Sequence, residues 1–280
     1  MEDRIERCEN ILKLGCFKIP GVIMLNQIFK FIFVYLALMA NSLIGFGQFL
    51  QQSPREGRIK GKVDSVVFKN YNISRNGNAE VIREFNDWCR YIYDLKGGLA
   101  EGHFSDEEEM SSGYFREVHS YSADGYLNSV VNYSKTNELD GEETYTFDPS
   151  KREVQVKEAK IVTTVMQLDG TGKVIKTTNY HDSSKLFSTL DYKYDAKGLC
   201  IESVQTWSKS PAVQKIIYEY DTNQNLIKET TYNNSKLSAT YTYAYSKFDQ
   251  YRNWLMQRSY RNGKLESETE RSVSYQLTGR

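Results

Sequence analysis

Proline, cysteine and histidine are all scarce in this sequence of 280 residues, which holds four prolines, four cysteines and three histidines. The histidines His103, His119 and His181 have no spacing that would let them share a metal ion. Basic and acidic residues balance at 36 each, and no basic stripe marks a surface for nucleic acid. We therefore predict neither a metal site nor a nucleic-acid partner.

Motifs that would identify an enzyme are also missing. The sequence has no Gly-x-Ser-x-Gly elbow, no phosphate-binding loop and no dinucleotide fingerprint. Its regularly spaced aspartates favour turn capping over catalysis, because catalysis needs a unique site. Residues 221–225 place oxygen ligands as a calcium loop does, but Leu226 stands where that loop needs glycine and Tyr232 where it needs glutamate. The prediction is a protein without catalytic residues, cofactor or metal.

Long hydrophobic runs are confined to one segment near the N-terminus. Lys30 precedes the apolar stretch Phe31–Met39, and Gly45-Phe46-Gly47 places small residues before Gln48. This is the form of a secretory signal peptide at residues 24–47, so we predict a secreted, periplasmic or outer-envelope protein that starts at Gln48. A membrane anchor is the alternative, but the run is short for a span. The mature form is therefore expected to have no membrane span.

The residues before Met24 mix charges of both signs, which is unusual ahead of a signal peptide. We interpret residues 1–23 as a misassigned N-terminal extension. Two of the four cysteines lie in it, so the mature chain keeps only Cys89 and Cys200. Two distant cysteines do not make a disulfide framework. Each is interpreted as a small buried hydrophobic residue, with a single bridge between them as the alternative.

Aromatic residues, in contrast, are abundant. The chain has 21 tyrosines and 13 phenylalanines, and this composition with little proline favours β-strands. A sequence motif recurs and is clearest at Tyr192–Leu199 and Tyr218–Leu226. It consists of two aromatic residues in strand alternation, an aspartate, a polar turn and an apolar residue that begins the next strand. Aspartate bonds its own backbone in turns, and glycine supplies positive φ. The predicted structural turn residues are Asp94, Gly97, Gly125, Asp148, Asp169, Gly172, Asp195, Gly198, Asp221, Asp249 and Gly263.

A second aromatic residue follows most of these turns at a distance of about eleven residues and precedes a turn of its own. Examples are Tyr232, before Asn233-Asn234, and Tyr260, before Arg261-Asn262-Gly263. One unit is therefore strand, aspartate turn, strand, asparagine or glycine turn, which is the pattern of tandem hairpins. We predict an all-β fold, a twisted antiparallel meander that is open or partly curled. It forms a single domain over 48–280, with clear repeats at about 90–275.

These motifs resemble the YD repeats of RHS-repeat proteins, whose unit reads Tyr-x-Tyr-Asp-x-x-Gly-(Arg/Asn)-Leu. The best matches are Tyr91–Leu99, Tyr192–Leu199 and Tyr218–Leu226. The signal segment and the turn variant Arg252-Asn253-Trp254 are similar to those of envelope proteins of Bacteroidetes-type bacteria that carry such repeats. The resemblance implies stacked hairpins and, in large members, a hollow shell around a cargo and a C-terminal toxin.

The sequence departs from that family pattern in two ways. Lys151, Gln224 and Arg252 replace the turn glycine, and the chain ends at Arg280 directly after the last repeat. These departures do not support the closed shell or the toxin payload of the large members. If each hairpin contacts mainly its neighbours, stability is a sum of local terms. Deleting residues 247–280 is then expected to leave a shortened protein with its β circular-dichroism signal per residue.

The predicted function is non-catalytic: a secreted or cell-envelope repeat protein that acts as a binding or interaction scaffold. One alternative is a carbohydrate- or cell-surface-binding module, and a more remote one is a component of a toxin/immunity secretion system. The partner is predicted to be an unidentified protein or glycan. Most tyrosines are expected to serve cross-strand packing. The aromatic residues that could bind a ligand are Trp207, Trp254, Tyr232 and Tyr260.

Overall fold

A computed structural model of the chain describes residues 59–75, 80–106, 114–181 and 184–276. These residues lie in one compact unit, Met39–Arg280. The predicted extension 1–23, the signal peptide 24–47 and its cleavage site fall outside the described residues. Within the described ranges, no helix is long and apolar enough to cross a membrane.

All regular elements of the described residues are β-strands. The sixteen strands are β1 Val63–Arg75, β2 Val81–Tyr93, β3 Leu99–Ser105, β4 Phe115–Tyr121, β5 Leu127–Tyr133, β6 Leu139–Asp148, β7 Glu153–Glu158, β8 Ile161–Leu168, β9 Val174–Tyr180, β10 Leu186–Tyr194, β11 Cys200–Trp207, β12 Ser210–Tyr220, β13 Leu226–Asn233, β14 Lys236–Phe248, β15 Trp254–Arg261 and β16 Lys264–Tyr275.

The strands form one antiparallel sheet that closes into a barrel, because β1 is hydrogen-bonded to β16 as well as to β2. The β1–β16 ladder runs from the pair Val63 and Tyr275 to the pair Asn72 and Ser267. The all-β, antiparallel prediction is confirmed, whereas the open or partly curled meander is wrong. Twist accumulated over sixteen strands brings the first and last strands together, so the sheet has no free edge.

Consecutive strands run up and down, so the turns alternate between the two ends of the barrel. Turns from an even-numbered to an odd-numbered strand carry the aspartates and define the aspartate-turn end. Turns from an odd-numbered to an even-numbered strand define the short-turn end, as at Asn234-Ser235 and Asn262-Gly263. Both residues of these two short turns have positive φ, from 49° to 82°, which is the type I′ geometry that matches strand twist.

The turn at Asp195 shows how the aspartate turns are built. The Gly198 N–H donates to the Asp195 carbonyl at 2.9 Å, and the Asp195 carboxylate accepts from the N–H groups of Lys197 and Leu199 at 2.9 and 2.8 Å. Gly198 adopts φ 79° beside a register shift at Tyr194. This is a type I turn closed by a left-handed residue and a bulge. The same carboxylate-to-backbone bonds occur at Asp94, Asp169, Asp221 and Asp249.

Three aspartate turns place a residue other than glycine in the left-handed region. Gln224 and Arg252 have φ of 70° and 63°, and both stand at the glycine position of the repeated motif. In the turn after Asp148 the left-handed residue is Arg152, at 51°, one position beyond the Lys151 that the repeat alignment indicates. Each side chain brings Cβ close to a carbonyl oxygen, which costs about 1 kcal/mol.

Replacing Gln224 with glycine is therefore expected to raise the free energy of unfolding by about 1 kcal/mol, because glycine has no Cβ to strain. Gly172→Ala is the matched reverse change: Gly172 has φ 86° and a Cβ there would meet nothing within 4 Å. That variant should lose about 1 kcal/mol through backbone strain alone. Denaturant titration measures both, and a shift of the same sign in the two variants would contradict the left-handed assignment.

One face of the sheet is buried and lines the interior of the barrel; we call it the inner face. At the aspartate-turn end, tyrosine rings lie over the residues that restart neighbouring strands, such as Leu226 and Cys200. Their hydroxyls donate to backbone carbonyls at 2.6 to 2.9 Å: Tyr121 to Leu99, Tyr194 to Val174, Tyr220 to Cys200 and Tyr245 to Leu226. Ring packing and these bonds join each unit to the preceding one.

The two cysteines of the barrel lie on β2 and β11 and are not joined by a disulfide. Seven steps separate these strands around the sheet in one direction and nine in the other, so a bridge between Cys89 and Cys200 would require the barrel to rearrange. Cys200 is buried on the inner face, and burial raises the pKa of its thiol to about 12.

Closure of the barrel depends on contacts beyond the β1–β16 ladder. The Asn253 side chain is buried and pairs with the backbone of Lys60: its Oδ1 accepts from the Lys60 N–H at 2.7 Å and its Nδ2 donates to the Lys60 carbonyl at 2.9 Å. Nδ2 also contacts the Tyr275 hydroxyl at 2.8 Å. Burial and a hydrogen bond to Asp249 raise the pKa of Tyr275 to about 12, so the hydroxyl stays a donor at neutral pH.

On the opposite, outer face, an ion-pair network also spans the closure. Arg83 of β2 reaches across β1, with its guanidinium 3.4 Å from the Tyr71 ring centre. It pairs with Glu268 at 3.0 Å and Glu270 at 2.8 Å, both on β16. Glu268 also accepts from Arg258 of β15 at 2.9 Å. Charges at the end of the sequence therefore join β16 to its neighbours.

Candidate binding surfaces

The short-turn end repeats one side-chain arrangement. The last or second-last residue of four odd-numbered strands pairs across the turn with a leucine of the next strand: Tyr133 with Leu139, Tyr180 with Leu186, Tyr232 with Leu237, and Tyr260 with Leu265. Cross-strand aromatic–aliphatic pairs stabilise a hairpin. They also place an aromatic and an aliphatic side chain side by side at the end of the barrel.

Large apolar side chains are exposed around this same end. Seven of the eight even-numbered strands carry one at or near their first residue. Their exposed fractions lie between 37% and 69% for Val81, Phe115, Leu139, Ile161, Leu186, Phe187, Val213 and Leu237. We call these eight residues the apolar rim. A recurring apolar band that solvent reaches is a candidate interaction surface.

The four aromatic residues predicted to contact a ligand fall into two groups. Trp207, Tyr232 and Tyr260 lie at or next to the last residues of β11, β13 and β15, at the short-turn end, where they are half-buried beside the apolar rim. Trp254 begins β15 at the opposite end and is 2% exposed. Its ring packs on the inner face, 3.8 Å from the Arg271 guanidinium, and therefore offers no surface to a ligand.

The carboxylates of the aspartate turns are occupied by their own backbone. Asp221 accepts from the N–H groups of Asn223 and Asn225, each at 2.8 Å, and from the Asn225 side chain at 2.9 Å. At Asp249, burial is opposed by hydrogen bonds from Tyr275 and Asn253, which lower the pKa of the carboxyl. Across the described ranges, no group of three or more His, Cys, Asp or Glu side chains is arranged to hold a metal ion.

The predicted turn glycines lie at the surface of both ends. Gly97, Gly125, Gly172 and Gly198 occupy the left-handed position of aspartate turns, and Gly263 occupies the second position of the last short turn, with φ between 79° and 86°. Asp148 accepts from the Ser150 N–H at 3.0 Å, and hydrogen bonding led by the Ser150 hydroxyl lowers the pKa of this exposed carboxyl. All these residues shape turns.

An acidic group on the inner face surrounds His119. The His119 Nε2 lies 3.6 Å from a Glu117 oxygen, and its side chain is 1% exposed. Glu143 faces the same region and accepts from the Tyr145 hydroxyl at 2.7 Å. Burial raises the pKa of Glu143, and nearby Glu117 and Glu158 raise it further. Sequence analysis did not indicate this group, because its members lie on three strands, β4, β6 and β7, whose contacts depend on the register of the sheet.

The outer face of β2, β3 and β4 carries two arginines with a histidine between them. Arg90 pairs with His103, and His103 pairs with Arg116, in direct register across the three strands. Trp88 lies two residues from Arg90 and is 1% exposed. The register depends on bulges near Tyr93 and Tyr121, which periodicity alone does not locate. Sequence analysis therefore missed this row.

Comparison with known proteins gives no family assignment. No family model matches the chain, and no curated protein matches it. Among solved structures, the chain is similar to a porin-like protein from Bacteroides uniformis, with 11% identity and a TM-score of 0.49 over 76% of this chain and 98% of that one. It is also similar to TcdB2-TccC3, with 10% identity and a TM-score of 0.31 over 71% of this chain and 13% of that one.

A third similar structure is a putative outer membrane lipoprotein-sorting protein domain from Vibrio parahaemolyticus. It shares 12% identity and a TM-score of 0.30, over 77% of this chain and 87% of that one. These identities and TM-scores do not place the chain in a family. The relation to YD-repeat proteins is therefore weak and depends on the repeated sequence motifs alone.

Proposed function

We propose that the protein is a non-catalytic binding scaffold of the cell envelope or the secreted fraction, and that it holds its partner at the apolar rim. The observation that carries this proposal is the recurrence of exposed apolar side chains on seven of eight even-numbered strands at one end. Exposing such side chains to water is unfavourable, and apolar bands of this kind mark interaction surfaces.

Two further features support the proposal. The repeat aspartates bond their own turns, as at Asp195, which leaves the regular carboxylates without a chemical role. The signal-peptide pattern at residues 24–47 supports export of the chain. The barrel supplies a rigid frame, and a rigid frame lowers the entropy that binding costs.

A glycan is the second candidate partner, favoured by the aromatic residues of the short-turn end. Trp207, Tyr232 and Tyr260 are half-buried there, so part of each residue remains accessible. Aromatic rings with a polar handle suit contacts that are apolar on one side and wet on the other. A glycan partner predicts loss of binding when Trp207 is replaced by alanine and no loss when the buried Trp254 is replaced by phenylalanine.

The test compares two triple variants in a pull-down from the native envelope fraction, together with a glycan array. Leu139→Ser, Leu186→Ser and Leu237→Ser together remove three rim leucines. Ile175→Ser, Ile201→Ser and Ile227→Ser remove three isoleucines near the aspartate-turn end, each 38% or 39% exposed. We expect the rim variant to bind its partner, whose binding is saturable, at least tenfold more weakly than the wild type does. The reason is that each buried apolar side chain contributes about 1.5–3 kcal/mol. Equal binding by both variants would refute the rim as the binding surface.

A further inference from the structure

The basic row on the outer face combines charge with unused hydrogen-bond donors. Arg90, His103 and Arg116 stand directly opposite one another on three adjacent strands. The Nε–H groups of Arg90 and Arg116 and the Nε1–H of Trp88 are buried and have no hydrogen-bond acceptor. Buried N–H groups are nearly always paired in folded proteins, so these three unpaired donors call for an acceptor.

No carboxylate of the described residues neutralises the two arginines. Arg116 lies 4.3 Å from the Tyr133 ring centre and donates from Nη2 to the Asn137 side chain at 2.9 Å, which leaves its charge uncompensated. Among the described residues, the acidic contact of this row is that of His103 with Glu101, at 2.9 Å. Arg90 and Arg116 carry like charges on strands two apart, and an anion between them would offset their repulsion.

Aromatic rings form a wall beside the row. The Tyr114 ring stacks on His103, with centres 4.5 Å apart and planes at 22°, and meets the Trp88 ring edge-on at 6.0 Å. Strands two apart lie about 10 Å from each other, so Arg90 and Arg116 flank His103 within reach of one small anion at the edge of the stacked Tyr114 ring. Guanidinium groups suit oxyanions because their N–H fork matches two oxygens.

We propose that the outer face of β2–β4 is an oxyanion-binding site, formed by Arg90 and Arg116 on either side of His103 with the Trp88 N–H as a further donor. The ligand group is a phosphate, sulfate or carboxylate, either as a free ion or as part of a larger anionic molecule. The site adjoins the short-turn end, because Arg116 follows the rim residue Phe115 and lies over Tyr133. It uses charged groups rather than apolar side chains, so anion binding does not depend on the scaffold role.

The test titrates the full chain with inorganic phosphate, sulfate and glucuronate in chloride buffer of constant ionic strength. Isothermal calorimetry reports affinity, and the three probes distinguish a phosphorylated, a sulfated and a carboxylated source. We expect saturable binding of at least one probe, weakened about tenfold by Arg90→Met and by Arg116→Met, because each removes a charge-assisted hydrogen bond. Arg90→Lys keeps the charge and is expected to retain part of the affinity.

Arg261→Met is the matched control, because Arg261 also lies over a tyrosine ring, Tyr241, but is paired with Glu266. It should bind the probe as the wild type does. The ligand-free melting temperature of Arg90→Met should equal or exceed that of the wild type, because the donor it removes has no partner. Absence of saturable binding for all three probes, an equal loss in Arg261→Met, or a lowered melting temperature with unchanged binding would each overturn the proposal.

Discussion

Deleting residues 262–280, which removes β16, is expected to abolish the cooperative unfolding transition of the protein. The deletion leaves β1 and β15 as free edges. These two strands run in the same direction, so they cannot form the antiparallel ladder that β1 makes with β16. Two exposed edges also promote association between chains. Thermal unfolding followed by circular dichroism, with size-exclusion chromatography, measures both consequences.

The comparison variant lacks residues 247–280 and therefore both β15 and β16. Its end strands β1 and β14 run antiparallel and can pair again, so it should retain more β-structure than the shorter deletion. Independent hairpins would give the opposite order, because stability would then follow the number of units removed. A cooperative transition near the wild-type melting temperature after deletion of 262–280 would show that closure contributes little.

Replacing Asn253 with alanine is expected to lower the free energy of unfolding by about 3 kcal/mol. The substitution leaves the Lys60 N–H and carbonyl without their partners at 2.7 and 2.9 Å, and an unsatisfied buried polar group costs about 1–3 kcal/mol. It also removes the contact with the Tyr275 hydroxyl. Denaturant titration of the variant gives the free energy directly.

Asn262→Ala is the matched control for this change. The Asn262 side chain also bonds to backbone, accepting from the Thr240 N–H at 2.9 Å, but it does so at an exposed turn. Water can replace that bond, so the expected loss is about 1 kcal/mol or less. If the two alanine variants unfold at the same denaturant concentration, the Asn253 contacts do not stabilise closure.

Much of the local structure could be predicted from the sequence. The motifs around Tyr194 and Tyr220 indicated antiparallel strands joined by polar turns, and the all-β fold consists of such strands. This success has a local cause. An aspartate, a left-handed residue and alternating aromatic residues act within about ten positions of the chain, so the sequence of one unit suffices to specify one hairpin.

The candidate sites were less accessible to sequence analysis. Tryptophan is a residue type that often contacts ligands. Trp254 nevertheless packs on the inner face, because it begins β15 at the aspartate-turn end. The alignment of Arg90, His103 and Arg116 can be predicted only when the bulges that set the register of their strands are known. A bulge changes which face a side chain occupies, and periodicity averages over that change.

By itself, the sequence determined the strands, the turn chemistry and the antiparallel order of neighbours, because each depends on contacts between nearby residues. Tertiary structure alone decided that the sheet closes, which residues line its interior and which side chains meet on its outer face. Closure joins Lys60 to Asn253 across 193 positions, and no local pattern encodes a contact of that range. It follows from the summed twist and registers of sixteen strands, a property of the whole sheet.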